Sequence, residues 1–440
     1  MRDSARQRAL RLAPDPDAPF ARGDGVFVST LAFLESSALL ADSLTSAEKI
    51  LNLCEDRYQF LVAFAAAALR GSTTLLPSSH AASIIAETIA AFPGCNVLDD
   101  AKVTDHGFPS SSSRADAPTD FIAAIGHTSG STGRPASHEK SWSGLCATTT
   151  LNAATIRGAI SGDSRTQQPW IVATVPPQHM YGLETSVLLP LLAGFGIHRG
   201  RPLLPADIAT ALADVPAPRI LVSTPIHLRS IVDSGVAFPS IAVVVSATAP
   251  LQRELAQQIE KSFGAVLVEM FGSTETCVIA TRRTAFEDGW RPYPGISLEP
   301  AEGGTIVRAP WLARHQLLQD VIEVRADQSF VVIGRHGDLV EVAGKRASLS
   351  DLSRRLASLP GVRDAIVFQP PREGGGVRRC AALVVAPGLS SREVLGRFRP
   401  QVDAAFLPRP LVVIPELPRN QMGKLPMEDM AALLRGTRRG

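Results

Sequence analysis

Thr128-Ser129-Gly130-Ser131-Thr132-Gly133-Arg134-Pro135 packs four hydroxyls and two glycines into eight residues. Hydroxyls and backbone N–H groups donate to anion oxygens, and glycine lets the backbone come close to them. The chemistry such a loop offers is the holding of phosphate. An apolar run, Phe121 to Ile125, precedes it and reads as a short buried strand; Lys140 opens a stretch of helix formers after it. Strand, hydroxyl loop and helix would point N–H groups at an anion. A Walker-type loop requires Gly-Lys-Ser/Thr. The Gly-Lys pairs here, Gly344-Lys345 and Gly423-Lys424, are followed by Arg346 and Leu425 and do not qualify. Ser/Thr/Gly clusters also form ordinary surface loops, and composition alone leaves both readings open.

Three further clusters follow apolar runs in the same way. Trp170 to Val175 leads into Pro176-Pro177-Gln178-His179-Met180-Tyr181-Gly182. Ile241 to Ser246 leads into Ala247-Thr248-Ala249-Pro250, and Ala265 to Met270 into Phe271-Gly272-Ser273-Thr274-Glu275. Arg219 to Ser223 is another strand of the same kind. Near-continuous apolar strands alternating with helices predict parallel sheets covered on both faces. Ligands of such sheets bind outside the carboxyl ends of the strands. Four strand ends carrying small, polar or aromatic residues are what one composite nucleotide site requires.

The elements that must position these clusters follow from length and texture. At 440 residues the chain predicts two domains, or one large domain with an appendage, and 45% hydrophobic residues suffice for a sizeable core. A formal net charge of +2 gives no electrostatic case for nucleic acid or a membrane surface, and 5% aromatic residues argue against a stacking platform for single strands. The apolar run Phe60 to Leu69 is far shorter than the roughly 20 residues of a membrane span. No secretory signal is visible at the start, and five scattered cysteines without paired spacing read as reduced, mostly buried thiols of a cytoplasmic protein, with a zinc site disfavoured. Residues 1 to about 55 carry little pattern. Helices are predicted over 59–70, 81–92 and 183–192, and a strand over 73–76. From about Arg282 short alternating segments (304–307, 320–324, 329–333) predict antiparallel strands or a small barrel. Gly334 to Asp338 reads as a turn between domains. Beyond it, helices over 349–359 and 392–406 and strands over 362–368 and 377–385 predict a compact α+β unit, with 370–376 as a hairpin loop. Pro109 to Arg114 reads as a flexible loop.

Together Thr128 to Gly133, His179-Met180-Tyr181-Gly182, Phe271 to Glu275, Gly334-Arg335 with Asp338, and Pro418-Arg419-Asn420-Gln421-Met422-Gly423-Lys424 resemble the adenylate-forming superfamily of acyl-CoA ligases, peptide-synthetase adenylation domains and luciferases. The resemblance runs from about residue 60 to Lys424. It implies an α/β fold: a large N-terminal domain (1–336) with parallel-rich sheets flanked by helices plus a small β-barrel-like part, and a small mobile α+β C-terminal domain (337–440) carrying the catalytic lysine. It implies ATP and Mg²⁺ as cofactors. A carboxylate attacks the α-phosphorus of ATP to give an acyl-adenylate and pyrophosphate, and a thiol then displaces AMP. Anionic reactants meet in the first step, so positive charge and oriented donors must offset their repulsion. By resemblance Lys424 bridges carboxylate and α-phosphate. Thr128, Ser129, Gly130, Ser131, Thr132 and Gly133 hold the β- and γ-phosphates, and Glu275 binds Mg²⁺; a helix N-terminal carboxylate is the competing reading of Glu275. Phe271, with Gly272, Ser273 and Thr274 beside it, stacks on adenine. Ala247, Thr248 and Ala249 line its other face and the acyl pocket. Asp320 matches the ribose-binding aspartate, Arg335 reaches ribose or phosphates, and His179 sits beside the carboxylate and gates its approach.

The sequence departs from that pattern in three places. Ala136 stands where a lysine usually follows Gly-x-Pro, and Lys140 or His138 either substitutes for it or the contact is dispensable. The hinge position two after Arg335 is Gly337, and glycine suits a pivot. Glu341 stands where a lysine is frequent, against a CoA-phosphate contact there. The loop 135–142 and Gly344 to Leu349 resemble free-standing ligases of aryl-polyene and xanthomonadin-type pigment pathways, which load an aryl acid such as a hydroxybenzoate, or a fatty acid, onto an acyl carrier protein. Lys345, Arg346, Arg354, Arg355, Arg378 and Arg379 would dock that acidic partner or are scattered solubilising charges. The competing readings are an acyl- or aryl-CoA ligase using free CoA and a non-catalytic scaffold of the same fold. Lys424→Ala is expected to lower acid-dependent ATP–pyrophosphate exchange by about 10²–10³-fold; undiminished exchange would remove Lys424 from the chemistry.

Overall fold

The computed structural model describes residues 10–11, 15, 17–44, 49–104, 116–118, 121–128, 136–335, 339–342, 345–370, 379–417, 419, 425 and 427–436. The chain divides into two compact units. One comprises residues up to Ile296 together with Ala309–Ala313; the other comprises Ser297–Arg308 and the residues from Arg314 onward.

Among the described residues the first unit holds a nine-stranded and a five-stranded sheet. From edge to edge the larger runs Arg291–Pro292 (β14), Cys277–Arg282 (β13), Val266–Ser273 (β12), Val243–Ser246 (β11), Arg219–Ser223 (β10), Trp170–Ala173 (β8), Gly196–His198 (β9), Pro19–Gly23 (β1) and Val26–Ser29 (β2). The interior pairings β12/β11/β10/β8/β9/β1 are parallel, and each edge is finished by antiparallel strands. The Val-Val-Val of β11 is fully buried, and its β-branched side chains suit a pleated surface covered on both sides. The smaller sheet runs Asn96–Leu98 (β5), Lys49–Asn52 (β3), Thr73–Leu76 (β4), Ile122–Thr128 (β6) and Ala136–Ser141 (β7).

Helix Arg57–Arg70 (α2) is the layer these sheets share. Asp56 caps its start, with Oδ1 accepting from Gln59 N at 3.0 Å, and Gly71 ends it at φ 68°. Phe60 to Leu69 are buried on every side, as a helix apolar all round must be. They join one core with Ile50 of β3, Ala123 and Ala124 of β6, and Ala173, Val222 and Val245 of the large sheet. The opposite face of the large sheet presents Val172, Leu221, Val244 and Leu267. They pack on Ile208 and Leu212 of Pro205–Asp214 (α7), Leu228 and Ile231 of Pro225–Asp233 (α8), and Leu255 and Ile259 of Arg253–Phe263 (α9). No helix among the described residues is long and apolar enough to cross a membrane.

Several expectations need correction. Lys140 does not open a helix: it lies in β7, which pairs antiparallel with β6 (Ile125 opposite Glu139), and helix Trp142–Ala159 (α4) starts two residues later, with the Ser141 hydroxyl accepting from Gly144 N. Ser137 and Glu139 are exposed while His138 and Lys140 turn inward, a period of two in which strand pairing overrides the helix propensity of Glu and Lys. The helix expected over 183–192 is two, Met180–Ser186 (α5) and Leu188–Ala193 (α6), separated at Val187. The expected strand 170–175 ends at Ala173. Residues before 55 contain β1, β2, β3 and helix Thr30–Ser43 (α1).

The second unit contains the antiparallel sheet Ser297–Ala301 (β15), Gly304–Arg308 (β16), Gln316–Leu318 (β17), and the hairpin Asp320–Val324 (β18), Phe330–Arg335 (β19). Leu339–Val342 (β20) pairs with Lys345–Ser348 (β21). Asp364–Phe368 (β22), Ala381–Val385 (β23) and Leu411–Val413 (β24) form a further sheet. Helix Leu349–Ala357 (α10) packs Leu352 and Leu356 into one core with Val367 and Val384 of that sheet. The helix expected over 392–406 stops at Phe398 (Ser391–Phe398, α11); Pro400 follows, within a 3₁₀ turn. Of the hairpin loop expected over 370–376, residues 371–376 lie outside the described residues, as does the loop expected over 109–114. Leu221→Ala, at a fully buried position of β10, is expected to cost about 2–5 kcal/mol, read as a lowered urea midpoint.

Candidate active site

The turn that joins β12 to β13 carries Glu275. At its start the ladder slips between Phe271 and Gly272, and Cys277 takes φ 63° at its end. A Cβ on Gly272 would lie 2.1 Å from the Cys277 carbonyl oxygen, so only glycine permits this closure. Ser273 Oγ accepts from the backbone N–H of Glu275 at 3.2 Å and of Thr276 at 3.3 Å. The Trp311 indole donates to the Thr276 carbonyl at 3.0 Å. Glu275 therefore sits in a hairpin turn, and the helix N-terminal reading of it falls.

The inward side chains of β7 meet this turn. Lys140 is 5% exposed, and its Nζ donates to the Glu275 carbonyl at 2.7 Å. His138 Nε2 lies 3.5 Å from Glu275 Oε1. Burial works to raise the Glu275 pKa, but donation from Ser273 and its own backbone, with His138 and Lys140 nearby, brings it below the usual carboxylate range. Burial lowers the His138 pKa, with Glu275 opposing and Lys140 assisting.

Behind the turn lies a buried carboxylate. Glu184 of α5 accepts from Val278 N at 3.1 and 3.2 Å and from Asn152 Nδ2 at 3.2 Å; the Tyr293 hydroxyl donates to Asn152 Oδ1 at 2.8 Å. Burial pushes Glu184 up to about 7, opposed by Val278, Asn152, Lys140 and Thr148.

The other clusters gather around the same turn. A Cβ on Gly126 of β6 would come within 2.8 Å of Thr274 Cγ2 and 3.7 Å of Met180 Cε, so strand β6, the Glu275 turn and the His179–Gly182 segment touch. A Cβ on Gly182 would fall 1.9 Å from the Pro176 carbonyl oxygen, which fixes how tightly residues 176–182 wind. His179 is half-buried at the N-cap position of α5. Tyr181 donates to the carbonyls of Ser223 at 3.1 Å and Val245 at 3.0 Å, tying this segment to the ends of β10 and β11. Ala247, Thr248 and Ala249 leave β11 there. Thr248 takes φ 80°, and its buried hydroxyl has no hydrogen-bond partner among the described residues. The half-buried Phe271 ring packs on Trp290, centroids 5.2 Å apart.

In the second unit Asp320, 9% exposed, stands directly opposite Arg335 in the β18–β19 ladder, and its carbonyl accepts from Thr305 Oγ1 at 2.6 Å. Arg355 Nε lies 2.7 Å from Asp351, which also engages Arg354; Arg379 is exposed. Ser129 to Gly133, residues 336–338 with Gly337, Arg378 and Lys424 lie outside the described residues, as do the side chains of Thr128, Arg335, Glu341, Lys345 and Arg346. All five cysteines are free thiols; burial pushes Cys146 and Cys277 up to about 12. Sequence reasoning passed over Gly126, Glu184 and Trp311. Their signal is a contact between distant segments, which no local pattern encodes.

The AMP-binding enzyme family matches residues 43–302. The chain is 29% identical over 315 residues to a 4-coumarate–CoA ligase of Halorhodospira halophila, a match spanning 68% of this chain and 73% of that one. Its fold is that of ATP-bound MatB from Rhodopseudomonas palustris, with a TM-score of 0.80, 19% identity and 96% of each chain covered. A benzoate CoA ligase from Burkholderia xenovorans LB400 shares it at a TM-score of 0.77 and 18% identity, covering 94% of this chain and 97% of that one.

A carboxyl whose pKa rises on folding favours the native state while protonated. For Glu184 that advantage is complete below about pH 4.5 and is lost as pH rises to about 7. Glu184→Gln is expected to gain stability relative to the parent across that window and to run parallel above it, measured by urea unfolding at a series of pH values.

Proposed function

Because the chain belongs to the AMP-binding enzyme family, we propose that it activates an aryl carboxylic acid with ATP and passes the acyl group to a phosphopantetheine thiol. The observation that carries this reading is the meeting of β6, the His179–Gly182 segment and the Glu275 turn around Gly126. The names of the 4-coumarate and benzoate enzymes give aryl acids as what those proteins act on.

In the proposed reaction an oxygen of the acid attacks the α-phosphorus of ATP. The bond to the bridging oxygen breaks, and pyrophosphate leaves with its electron pair. Thr128, Ser129, Gly130, Ser131, Thr132 and Gly133 donate to the phosphate oxygens, and the glycines keep the backbone close. Phe271 takes one face of adenine, with Gly272, Ser273 and Thr274 beside it, and Ala247, Thr248 and Ala249 the other. Asp320 accepts from the ribose hydroxyls and Arg335 reaches ribose or phosphate. His179 borders the entry of the carboxylate. Lys424 supplies the charge between carboxylate and α-phosphate; residues 337–440 are the body proposed to carry it in, against 1–336.

Glu275 fits a divalent cation. Its side chain is 29% exposed, its pKa is depressed, and a carboxylate is a hard oxygen ligand. Glu275 would hold Mg²⁺, which when bound neutralises phosphate charge. In the second half-reaction a thiol attacks the acyl carbon and AMP departs. The CoA ligases among the relatives support free CoA as acceptor. The loop Pro135–Trp142 and Gly344 to Leu349, with their resemblance to the pigment-pathway ligases, support an acyl carrier protein instead.

A screen of carboxylic acids by ATP–pyrophosphate exchange is expected to give exchange with aryl acids, hydroxybenzoates among them, and product with a phosphopantetheinylated carrier protein. Exclusive use of CoA would reassign the acceptor, and the absence of exchange with every acid would overturn the reading.

A further inference from the structure

Lys140 stands four residues beyond Ala136, the position where a loop lysine is usual, and the β6–β7 ladder turns its side chain inward. We propose that Lys140 is a positioning residue: its buried ammonium clamps the Glu275 carbonyl and so aims the Glu275 carboxylate at the metal of a bound metal–nucleotide complex. The inference rests on the function proposed above.

Three observations carry it. Lys140 is 5% exposed, and its ammonium donates a 2.7 Å hydrogen bond to the carbonyl of Glu275, whose side chain is 29% exposed. Secondly, the turn is gripped from several sides: Ser273 Oγ holds Glu275 N and Thr276 N, Trp311 holds the Thr276 carbonyl, and Glu184 holds Val278 N. Of these contacts, the one from Lys140 holds the Glu275 carbonyl. Fixing that carbonyl fixes the Cα–Cβ direction, and with it the reach of the carboxylate. Thirdly, Lys140 lies within electrostatic range of Glu184, so the charge it brings into the core is opposed by a carboxylate on the far side of the same turn. Isolated burial of an ammonium is costly, and a buried pair is weak evidence for stability. His138, two residues earlier on the same face, flanks the carboxylate itself. Strand β7 thus touches Glu275 at both its carbonyl and its side chain.

The test uses the full chain, Mn²⁺ as the probe and α,β-methylene-ATP, whose α–β bridge does not break, as a nucleotide that cannot transfer AMP. Mn²⁺ binding is read by water-proton relaxation. Lys140→Met is expected to weaken Mn²⁺ binding in the nucleotide complex by about tenfold or more, the usual effect of removing a residue that orients a ligand. Lys140→Arg, which keeps a donor, is expected to recover most of it. Lys140→Met combined with Glu184→Gln removes both buried charges. It is expected to unfold within a few degrees of the parent while still losing Mn²⁺, which separates positioning from support of the fold. Parent-like Mn²⁺ binding in the double variant would overturn the inference, as would its failure to fold. A parent that binds no Mn²⁺–nucleotide would overturn the proposed function as well; a parent that binds it, with unaffected variants, would sink the clamp alone.

Discussion

A carboxylate held away from water has to find donors, and Glu184 finds them in Val278 N and Asn152. That requirement ties together α5, which begins just after His179; α4, which supplies Asn152; and β13, which follows the Glu275 turn. An unpaired buried carboxylate costs several kcal/mol, so these elements are fixed in register by one residue. Lys140 approaches the same turn from the small sheet. The two sheets of the first unit are therefore joined at the site by polar contacts as well as by the apolar layer of α2.

Parallel pairing sets the rest. Ser223, Ser246 and Glu269 lie side by side in one row of the large sheet. The segments that leave β10 and β11 consequently begin level with one another, while β12 runs on to Ser273. Tyr181 reads that alignment directly, since one hydroxyl reaches carbonyls of two neighbouring strands. Glycines 182 and 272 then let the departing chain fold back at distances no side chain would allow.

Much of this was legible in the residues. The runs at 219–223 and 243–246 declared parallel strands, because unbroken β-branched and apolar residues need cover on both faces. The polar clusters could be placed at strand ends for the same reason. Ser137 to Lys140 misled, since Glu and Lys favour helices in isolation while the antiparallel ladder with β6 decides their conformation. Lys140 was visible as a candidate, but not its target: a lysine reaching a carbonyl 135 residues away leaves no local trace. Glu184 carries no local signal in the sequence, and only its partners reveal why it is there.

Gly126 and Thr274 share one small volume. The space that a side chain at 126 would fill is already taken by the Thr274 methyl, 2.8 Å from where a Cβ would stand. The far end of a side chain can shrink where a backbone cannot. Positions 126 and 274 are therefore free to drift in size only as a couple, one growing as the other is trimmed, and a family history of this fold should show them exchanging bulk rather than varying alone.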